Sequence, residues 1–580
     1  MAKHPSPLAG PPPRGRPRLR PSRARRRLSP LLILAVLAFG FGALIGGRHV
    51  PSERRVAGSF AAAWERADYV TMHSLLSDDA RKSVSLRRFT LAYQRAAATA
   101  TLSHVTAGGA RADGAGRVAV PVTAATRIFG TIDGRIVLPI SARADGTPGI
   151  AWTPELVFPG LRKGEALTRA TRMPARATIE ARDGTPIARG DARVSDLGPL
   201  ASEIAGRIGP APPERAAGLA ARGVPAGADV GLSGLELQFD ERLAGTPGGT
   251  LQAGRRVIAT STPRPGASVR TTIDPAIQRA AVEALAGRFG GIAVIRPRDG
   301  EVLALAGIAY SAPQPPGSTF KIVTMAGLLD AGVARTRDSF PVQTSATLSG
   351  VELQNANGES CGGSLQVSFA ESCNSVFAPL GAKLGAARLV AAAERFGFNE
   401  APPFLGAARS TIPGPAEIGD DLAVGSTAIG QGKVLATPLQ MAEVAATIGE
   451  GGRRPRPTLL KGAGGTGTRA TSASTARAIA RAMRLVITSG TGGGAAVAGV
   501  KVAGKTGTAE LRSTVSQDPT PTDPTQPPPP PDITDTDAWF TAFAPLRHPK
   551  VAVCVLLVGQ GAGGATAAPA AKTVLEAALP

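Results

Sequence analysis

The chain has 580 residues, 43% of them hydrophobic, which predicts several globular domains. Its formal net charge is +22, but Lys3 and eight arginines crowd into residues 1–27, and no basic recognition helix or aromatic RNA-binding motif follows, so no nucleic-acid partner is indicated. Three cysteines without a C-x-x-C pair and five histidines argue against a metal site, and no motif indicates a cofactor.

The N-terminal stretch predicts a membrane anchor. Residues 1–27 are rich in proline and arginine and should form a disordered cytoplasmic tail. Residues 28–47 carry no charge, and a helix of that length spans about 30 Å, the thickness of the hydrocarbon core. A cleaved signal peptide is the alternative, with Gly40-Phe41-Gly42 as a small-x-small site. The full span length favours a single-pass anchor with the rest of the chain outside.

Residues 52–160 predict a small α+β domain. Helical patterns cover 56–67 and 69–80, and alternating apolar residues at 117–123 and 135–140 indicate strands. No group of catalytic residue types stands out here, so a structural role is expected.

Residues 161–270 predict a second domain of different texture. Residues 174–188 are typical of a strand, a turn at Asp183-Gly184 and a second strand. Residues 231–245 mix leucines with acids, which indicates a charged helix packed on one side.

Residues 271–580 predict an α+β domain with one antiparallel sheet. Asp274 precedes Pro275 at the start of a helical pattern, as an N-cap would. Strand patterns, two of them around a turn at 299–300, lie at 291–296, 301–306, 500–510, 538–544 and 551–558.

The stretch 511–537 interrupts this domain with prolines and no apolar periodicity. A disordered excursion is the prediction, and a role in gating or partner contact is the alternative.

Residues 315–332 form a short loop and a helix that bring a hydroxyl and an amine together. Ser318 and Lys321 are three residues apart, so they share one face of the first turn. A serine becomes a good nucleophile when a base removes its proton, and a lysine with a lowered pKa can be that base. On its own, such a pair is more often a solvated serine beside a surface lysine.

Two further motifs change that interpretation. Ser372-Cys373-Asn374 gives Ser-x-Asn, and Lys505-Thr506-Gly507 gives Lys-Thr-Gly on a predicted strand. With Ser318 and Lys321 they stand in the order found in penicillin-binding proteins and class A β-lactamases.

The chain resembles the class B penicillin-binding proteins, the monofunctional D,D-transpeptidases of peptidoglycan synthesis. Gly430-Gln-Gly432 and residues 437–442 look like a stretch that the family carries before its Lys-Thr-Gly strand. The resemblance implies a pedestal or dimerisation domain at 161–270 and a serine β-lactamase/transpeptidase-like domain at 271–580. Residues 52–160 resemble the nuclear-transport-factor-like domain of the methicillin-resistance-type subgroup.

The resemblance implies a serine acyl-enzyme mechanism. Ser318 would attack the penultimate D-Ala carbonyl of a stem pentapeptide, and Lys321 would take its proton. Ser372 would relay a proton to the leaving amine, Asn374 would hold Lys321 and the substrate, and Lys505 would keep Lys321 neutral by its positive charge.

The same resemblance implies the binding groups and partners. Thr506, Gly507 and Thr508 would bind the terminal carboxylate, and the Ser318 and Thr508 N–H groups would form the oxyanion hole. An acceptor amine from a second stem peptide would complete the cross-link. β-Lactams would acylate Ser318, and a glycosyltransferase would be the protein partner.

Cys361 and Cys373 flank Gly362-Gly363 near Ser372, and outside the membrane they could pair. The disulfide would fix the loop beside Ser372. Two buried free thiols are the alternative.

Three other functions remain open from the sequence. A serine β-lactamase would need a deacylating base, but residues 375–504 hold no Glu-x-x-Leu-Asn string, and Glu394 has the wrong spacing. A D,D-carboxypeptidase of the same fold would pass the acyl group to water. A non-catalytic cell-wall scaffold would lack Lys321 or Ser372, and both are present.

Overall fold

The computed structural model describes residues 50–465, 467–510 and 536–579, apart from the side chain of Asn357. The predicted tail at 1–27 and the predicted anchor at 28–47 therefore lie outside the described residues. In the described part, no single helix is long and apolar enough to cross a membrane. The helices Asn374–Leu384 and Ala386–Arg395 meet that criterion only as a pair, across a bend of 100°.

The chain folds into two compact units. Among the described residues, the first takes in 50–96, 103–125 and 131–166. Its helices are α1 (Ser52–Glu65), α2 (Tyr69–Ser74), α3 (Asp78–Ser83) and α4 (Leu86–Ala100). Its strands are β1 (Leu102–Ala107), β2 (Arg111–Ala112), β3 (Arg117–Thr126), β4 (Gly130–Ala142) and β5 (Pro148–Ile150).

The first unit packs its helices around an aromatic core. The sheet order is β1-β3-β4-β5, with β2 paired to β3. The Phe89 ring lies 4.9 Å from that of Tyr93 and 5.2 Å from that of Trp152. Phe60 and Trp64 of α1 are both buried. The predicted α+β character of this segment is confirmed.

The single helix predicted over 69–80 is wrong, because the segment forms α2 and α3. Leu76 is buried between them and pairs with Ile150 in an isolated bridge. The Ser77 hydroxyl then accepts from the N–H of Ala80 and caps α3. Tertiary pairing overrides the helical periodicity here.

The first part of the second unit holds short elements. Its helices are α5 (Pro199–Ala205), α6 (Pro213–Ala221), α7 (Gly234–Gln238) and α8 (Asp240–Ala244). Its strands are β6 (Leu167–Arg172), β7 (Ile179–Glu180), β8 (Pro186–Ala188), β9 (Ile208–Pro210), β10 (Asp229–Gly231), β11 (Gly248–Ala253), β12 (Arg256–Ser261) and β13 (Val269–Arg270). They form the sheets β12-β11-β6, β13-β7-β8 and β10-β9.

The charged helix predicted over 231–245 is wrong in two respects. It breaks at Phe239 into α7 and α8. Two of its three acids point inward, since Glu236 and Asp240 are buried and pair with the Arg176 guanidinium at 2.7 and 2.9 Å, while Glu241 is exposed. Buried carboxylates need such partners, and the sequence does not show which arginine supplies them.

The rest of the second unit contains the large sheet and its helices. The helices are α9 (Pro275–Leu285), α10 (Lys321–Asp330), α11 (Leu365–Ala370), α12 (Asn374–Leu384), α13 (Ala386–Arg395), α14 (Pro415–Ile418), α15 (Asp421–Ala428), α16 (Pro438–Gly449), α17 (Ala473–Thr488) and α18 (Ala567–Ala578). The main strands are β14 (Gly290–Ile295), β15 (Val302–Gly307), β22 (Ala503–Glu510), β23 (Thr536–Ala544) and β24 (Val551–Leu557). Short strands are β16 (Ser339–Gln343), β17 (Ser345–Leu348), β18 (Val351–Gln354), β19 (Cys361–Ser364), β20 (Arg453–Arg454) and β21 (Thr468–Arg469).

The large sheet is antiparallel, in the order β15-β14-β24-β23-β22, with apolar cores on both faces. Alternate residues face opposite cores: Ile292 packs in one and Ala293 in the other. Helices α9 and α18 contact one face, and α16 contacts the other. The predicted α+β class with one antiparallel sheet in this domain is confirmed for the described residues.

Two details of this domain differ from the sequence prediction. Thr536 and Asp537, placed in the Pro-rich stretch, begin β23, while residues 511–535 lie outside the described residues. Helix α10 is buried from Lys321 to Leu328 and not on one face alone, because it runs through the middle of the core. A helix that is buried on all sides is mostly apolar, and Lys321 is the buried ionisable residue of this one.

Candidate active site

Ser318 lies in a tight turn that leads directly into α10. The segment Gly317–Phe320 is a 3₁₀ turn, and Lys321 begins the α-helix. The Ser318 Oγ and Lys321 Nζ atoms are 3.0 Å apart. The predicted contact between hydroxyl and amine therefore exists, with the serine in the 3₁₀ turn and not in the helix proper.

Close backbone packing fixes the turn. The N–H of Gly317 donates to the Gly430 carbonyl at 2.9 Å. Both glycines have positive φ, +51° and +83°. A Cβ on Gly430 would lie 1.9 Å from the Gly317 carbonyl oxygen, and a Cβ on Gly317 would lie 2.6 Å from that of Thr508. Only glycine fits at these two positions, which explains the Gly-Gln-Gly stretch noted in the sequence.

Lys321 is fully buried and surrounded by oxygen atoms. Its Nζ donates to the Ser372 carbonyl and to Asn374 Oδ1, both at 2.7 Å. Those two groups can only accept. A neutral amine has two N–H bonds and one lone pair, so these acceptors take both hydrogens and leave the lone pair for the Ser318 hydroxyl. The geometry thus matches an amine that acts as a base toward Ser318.

The pKa of Lys321 lies well below its ordinary value of 10.5. Burial is the larger cause, because it removes water from the ammonium form, and the nearby charge of Lys505 is the second. The sequence interpretation attributed the neutrality of Lys321 mainly to Lys505; the direction agrees, and burial is the larger of the two causes.

The Ser372 loop presents two oxygens to the lysines. Ser372 has φ +66°, an unusual value for a residue with a side chain. This turn directs its carbonyl toward Lys321 and its Oγ to within 3.4 Å of the same amine. Cys373 is joined to Cys361 in a disulfide, so the predicted pairing is present beside Ser372.

Asn374 is fixed from behind. Its Nδ2 donates to the Gln354 carbonyl at 2.9 Å, which sets its Oδ1 toward Lys321. The Asn355 Oδ1 in turn accepts from the N–H of Ser375 at 2.8 Å. The sequence reasoning did not identify Gln354 or Asn355, because they lie in a hairpin segment with no motif of its own.

Lys505 contacts the same loop from strand β22. Its Nζ donates to Ser372 Oγ at 2.8 Å and to the Thr506 carbonyl at 2.9 Å. The side chain is fully buried, and burial lowers its pKa from 10.5 to about 7. The charge of Lys505 therefore changes close to neutral pH.

The remaining predicted binding residues follow on the same strand. Thr506 and Gly507 are buried, and Thr508 is half-buried. The Thr506 Oγ1 lies 2.5 Å from the Oγ1 of Thr491, a residue that the sequence reasoning missed. Thr491 is a single threonine in the glycine-rich segment after α17, and no motif spacing in the sequence points to it.

Another cluster resembles a metal site only by distance. Cys361, Glu371 and Cys373 place their ligand atoms within 4.8 Å of one another, among the residues that the structure describes. The two sulfurs are bonded to each other, which leaves one exposed carboxylate as a ligand. These residues do not fit a metal ion.

Comparison with known families follows the same division of the chain. The "Penicillin binding protein transpeptidase domain" matches residues 290–576, the "Penicillin-binding Protein dimerisation domain" 165–270, and the "NTF2-like N-terminal transpeptidase domain" 53–165. Peptidoglycan D,D-transpeptidase PbpA of Mycolicibacterium smegmatis is 34% identical over 62% of this chain and 80% of its own length. The chain belongs to the class B penicillin-binding proteins.

Relatives and solved structures within this family agree. PbpA of Mycobacterium tuberculosis is 35% identical over 54% of this chain and 73% of its own. The penicillin G acyl-enzyme complex of penicillin-binding protein A from M. tuberculosis covers 70% of this chain and 100% of its own, with 29% identity and a TM-score of 0.56. PBP2 of Pseudomonas aeruginosa covers 70% and 96%, with 25% identity and a TM-score of 0.59. The resemblance stated from the sequence is confirmed.

Proposed function

We propose that this protein is a peptidoglycan D,D-transpeptidase that works through an acyl-enzyme on Ser318. The observation that carries this function is the 3.0 Å contact between Ser318 Oγ and a buried Lys321 amine whose two hydrogens are taken by other acceptors. Family membership and the named activity of the PbpA relatives support the same reaction.

The first step is acylation. The Ser318 oxygen attacks the carbonyl of the penultimate D-Ala, and its proton passes to the lone pair of Lys321. The bond to the terminal D-Ala nitrogen then breaks. The leaving amine takes a proton through Ser372, whose hydroxyl lies between Lys321 at 3.4 Å and Lys505 at 2.8 Å. The products are the Ser318 ester and free D-Ala.

The second step transfers the acyl group to an amine. A stem-peptide amine attacks the ester, loses a proton to the same base, and forms the cross-link as the bond to Ser318 breaks. In both steps the Ser318 and Thr508 N–H groups would bind the oxyanion, an interaction typically worth about 3 kcal/mol. Lys505, Thr506 and Thr508 would bind the substrate carboxylate at the end of β22.

Labelling with a fluorescent penicillin tests the nucleophile. Wild type should bind one label covalently, and Ser318→Ala should bind none. Equal labelling of both proteins would contradict the proposal. Ser360→Ala, an exposed serine outside the motifs, is the matched control and should label as wild type does.

The fate of the acyl group separates the alternatives. Slow release of the penicilloyl group favours the transpeptidase, whereas rapid turnover would indicate a serine β-lactamase. With a stem pentapeptide, release of D-Ala without transfer to an added amine would indicate a D,D-carboxypeptidase. The absence of any covalent label would indicate a non-catalytic scaffold.

We also propose that residues 28–47 anchor the protein in the cell membrane, with the N-terminus cytoplasmic and the catalytic domain outside. The uncharged run, the arginines before it and the extracytoplasmic location of peptidoglycan support this. A glycosyltransferase partner follows from the need for glycan strands. Protease added to intact spheroplasts should degrade the catalytic domain, and full protection would contradict the orientation.

A further inference from the structure

A cavity of about 400 Å³ lies in the second unit, and no residue of the three motifs lines it. Its size is in the range of small-ligand sites. Its walls come from the segment before Ser410, from the first turns of α16 and from the strand β20. The cavity is therefore separate from the Ser318 cleft, and the proposed reaction does not use it.

Three arginines line this cavity: Arg409, Arg454 and Arg456. Arg454 is buried, and its guanidinium meets Glu400 at 2.5 Å and Glu443 at 3.2 Å. The contact with Glu443 is made by Nε without hydrogen-bond geometry, and Nη1 has no hydrogen-bond partner among the described residues. Such an unsatisfied guanidinium is costly in a protein interior, and a bound anion would compensate its charge.

The acids around Arg454 neutralise it only in part. Burial raises the pKa of Glu443 to about 8, despite the opposing effect of Arg454 and Arg456. At pH 7 that carboxyl is mostly protonated and therefore mostly uncharged. Glu400 is half exposed, so the solvent weakens its pairing. The cavity therefore has more positive than negative charge at neutral pH.

We propose that this cavity is a second, non-catalytic site for a small ligand that carries an oxyanion group, a carboxylate or a phosphate. The exposed guanidinium groups of Arg409 and Arg456 can donate to it in the forked arrangement that matches such groups. The charged Arg454 and the Ser410 hydroxyl also line the wall of the cavity.

The occupied cavity would touch a segment connected to the nucleophile. Thr437 lines the cavity, and its neighbour Ala436 pairs with Gln314 in an isolated bridge. Both backbone hydrogen bonds between Ala436 and Gln314 are present, at 2.8 and 2.9 Å. Gln314 stands four residues before Ser318. A ligand in this cavity would thus contact the segment that pairs with the backbone just before the Ser318 turn.

Binding can be measured with two probes, inorganic phosphate and succinate, added to the full chain in detergent at constant ionic strength. We expect saturable calorimetric binding of at least one probe. The Arg409→Gln/Arg456→Gln variant should bind it about tenfold more weakly, since two charge-assisted contacts are lost. Arg453→Gln is the control, because Arg453 is exposed beside the cavity without lining it.

The pattern of results decides the proposal. Which probe binds identifies the source as phosphate or carboxylate. With succinate, whose two carboxylates stay ionised throughout, raising the pH from 7 to 9 should weaken binding in wild type, because Glu443 gains a negative charge beside Arg454, Arg456 and Glu400, and Glu443→Gln should remove this dependence. Binding of neither probe, or equal affinity in the double variant, would overturn the proposal. Equal loss in Arg453→Gln would also overturn it, because general surface charge would then explain binding.

Discussion

Two buried lysines meet at Ser372, and burial acts on both. The amine of Lys321 holds its lone pair toward Ser318, while Lys505 donates to Ser372. Burial is the first cause of both lowered pKa values. The pKa of Lys505, about 7, leaves that amine part of its charge near neutral pH, and this charge acts on Lys321.

Lys505→Gln should shift the pH dependence of acylation. Acylation needs a neutral Lys321, so its rate rises as the pH passes the pKa of that amine. Without the charge of Lys505 that pKa rises, and the acidic limb of the rate profile should move to higher pH. Penicillin acylation rates between pH 5 and 10 measure this. Lys501→Gln, an exposed residue before β22, should leave the limb in place, and an unmoved limb in Lys505→Gln would contradict the argument.

Thr491→Val should weaken the binding of carboxylate-bearing substrates. The Thr491 hydroxyl lies 2.5 Å from that of Thr506 and orients it. The loss of one such hydrogen bond corresponds to roughly a threefold to tenfold drop in the acylation rate at low penicillin concentration. Thr491→Ser should restore the rate. A normal rate in Thr491→Val would show that Thr506 needs no such support.

The catalytic residues were predictable from the sequence because three short motifs specify residue types and order. The hydrogen-bond partners that orient these residues were not predictable from the sequence. Gln354 acts through its backbone carbonyl, so any residue type could occupy its position. Thr491 is one hydroxyl in a glycine-rich segment. The pKa order also depends on burial, which the sequence does not show for Lys321 or Lys505.

At the scale of elements, the Ser318 turn lies between strand β22 and the Gly430 turn. Close backbone contacts of Gly317 with Gly430 and Thr508 fix its position. The Ser372 loop has a different support, the disulfide between Cys361 on β19 and Cys373 before α12. The Ser318 turn and the Ser372 loop are thus each stabilised by a separate local interaction.

Gly430→Ala should abolish most acylation. The added Cβ would lie 1.9 Å from the Gly317 carbonyl oxygen and displace the turn that carries Ser318. Gly432→Ala is a matched control, because Gly432 also has positive φ (+73°) but its Cβ would meet nothing closer than 3.8 Å. Penicillin labelling rates compare the two. Equal losses would assign the effect to backbone conformation and not to the contact.

Cys361→Ser/Cys373→Ser should lower stability and slow acylation. The disulfide closes a loop with a sequence separation of 12, which predicts a loss of about 2 to 4 kcal/mol in the free energy of unfolding. The Ser372 loop should become less ordered. Urea unfolding and penicillin labelling measure the two effects. A reductant should reproduce them in wild type and change nothing further in the variant; an unchanged wild type would contradict the prediction.

Across the whole molecule, continuous apolar runs predicted the strands of the large sheet, whereas buried charges were not predicted. The sheet strands are buried on both faces, so they read as continuous apolar runs such as those around Ile292 and Val553. Glu236 and Asp240 lie in a segment that resembles a solvated helix face, and Glu443 lies in an apolar helix. Their partners come from distant parts of the chain, and periodicity contains no information about such pairing.

Glu443→Gln should flatten the pH dependence of stability. The folded protein keeps the Glu443 proton up to about pH 8, whereas an unfolded chain loses it near 4.5. Between these values the folded state binds more protons, so raising the pH destabilises it, by at most about 1.4 kcal/mol per pH unit from this group.

Trp539 fluorescence can follow this unfolding in urea in a Trp64→Phe/Trp152→Phe background, since these are the three tryptophans of the chain. The midpoint should fall between pH 5.5 and 7.5, and less so in Glu443→Gln. Glu576→Gln on α18 is the exposed control. Parallel profiles for Glu443→Gln and its parent would contradict the assignment.

The pairing of β22 with β23 has a practical consequence. Glu510 and Thr536 are register partners, so the segment 511–535 leaves and re-enters the sheet at one point. The register from Ala503 to Glu510 is set by strand pairing and does not depend on the length of that connection. The position therefore offers an insertion point for a fluorescent reporter, which would report on the cleft from the strand that carries Lys505 without interrupting the sheet.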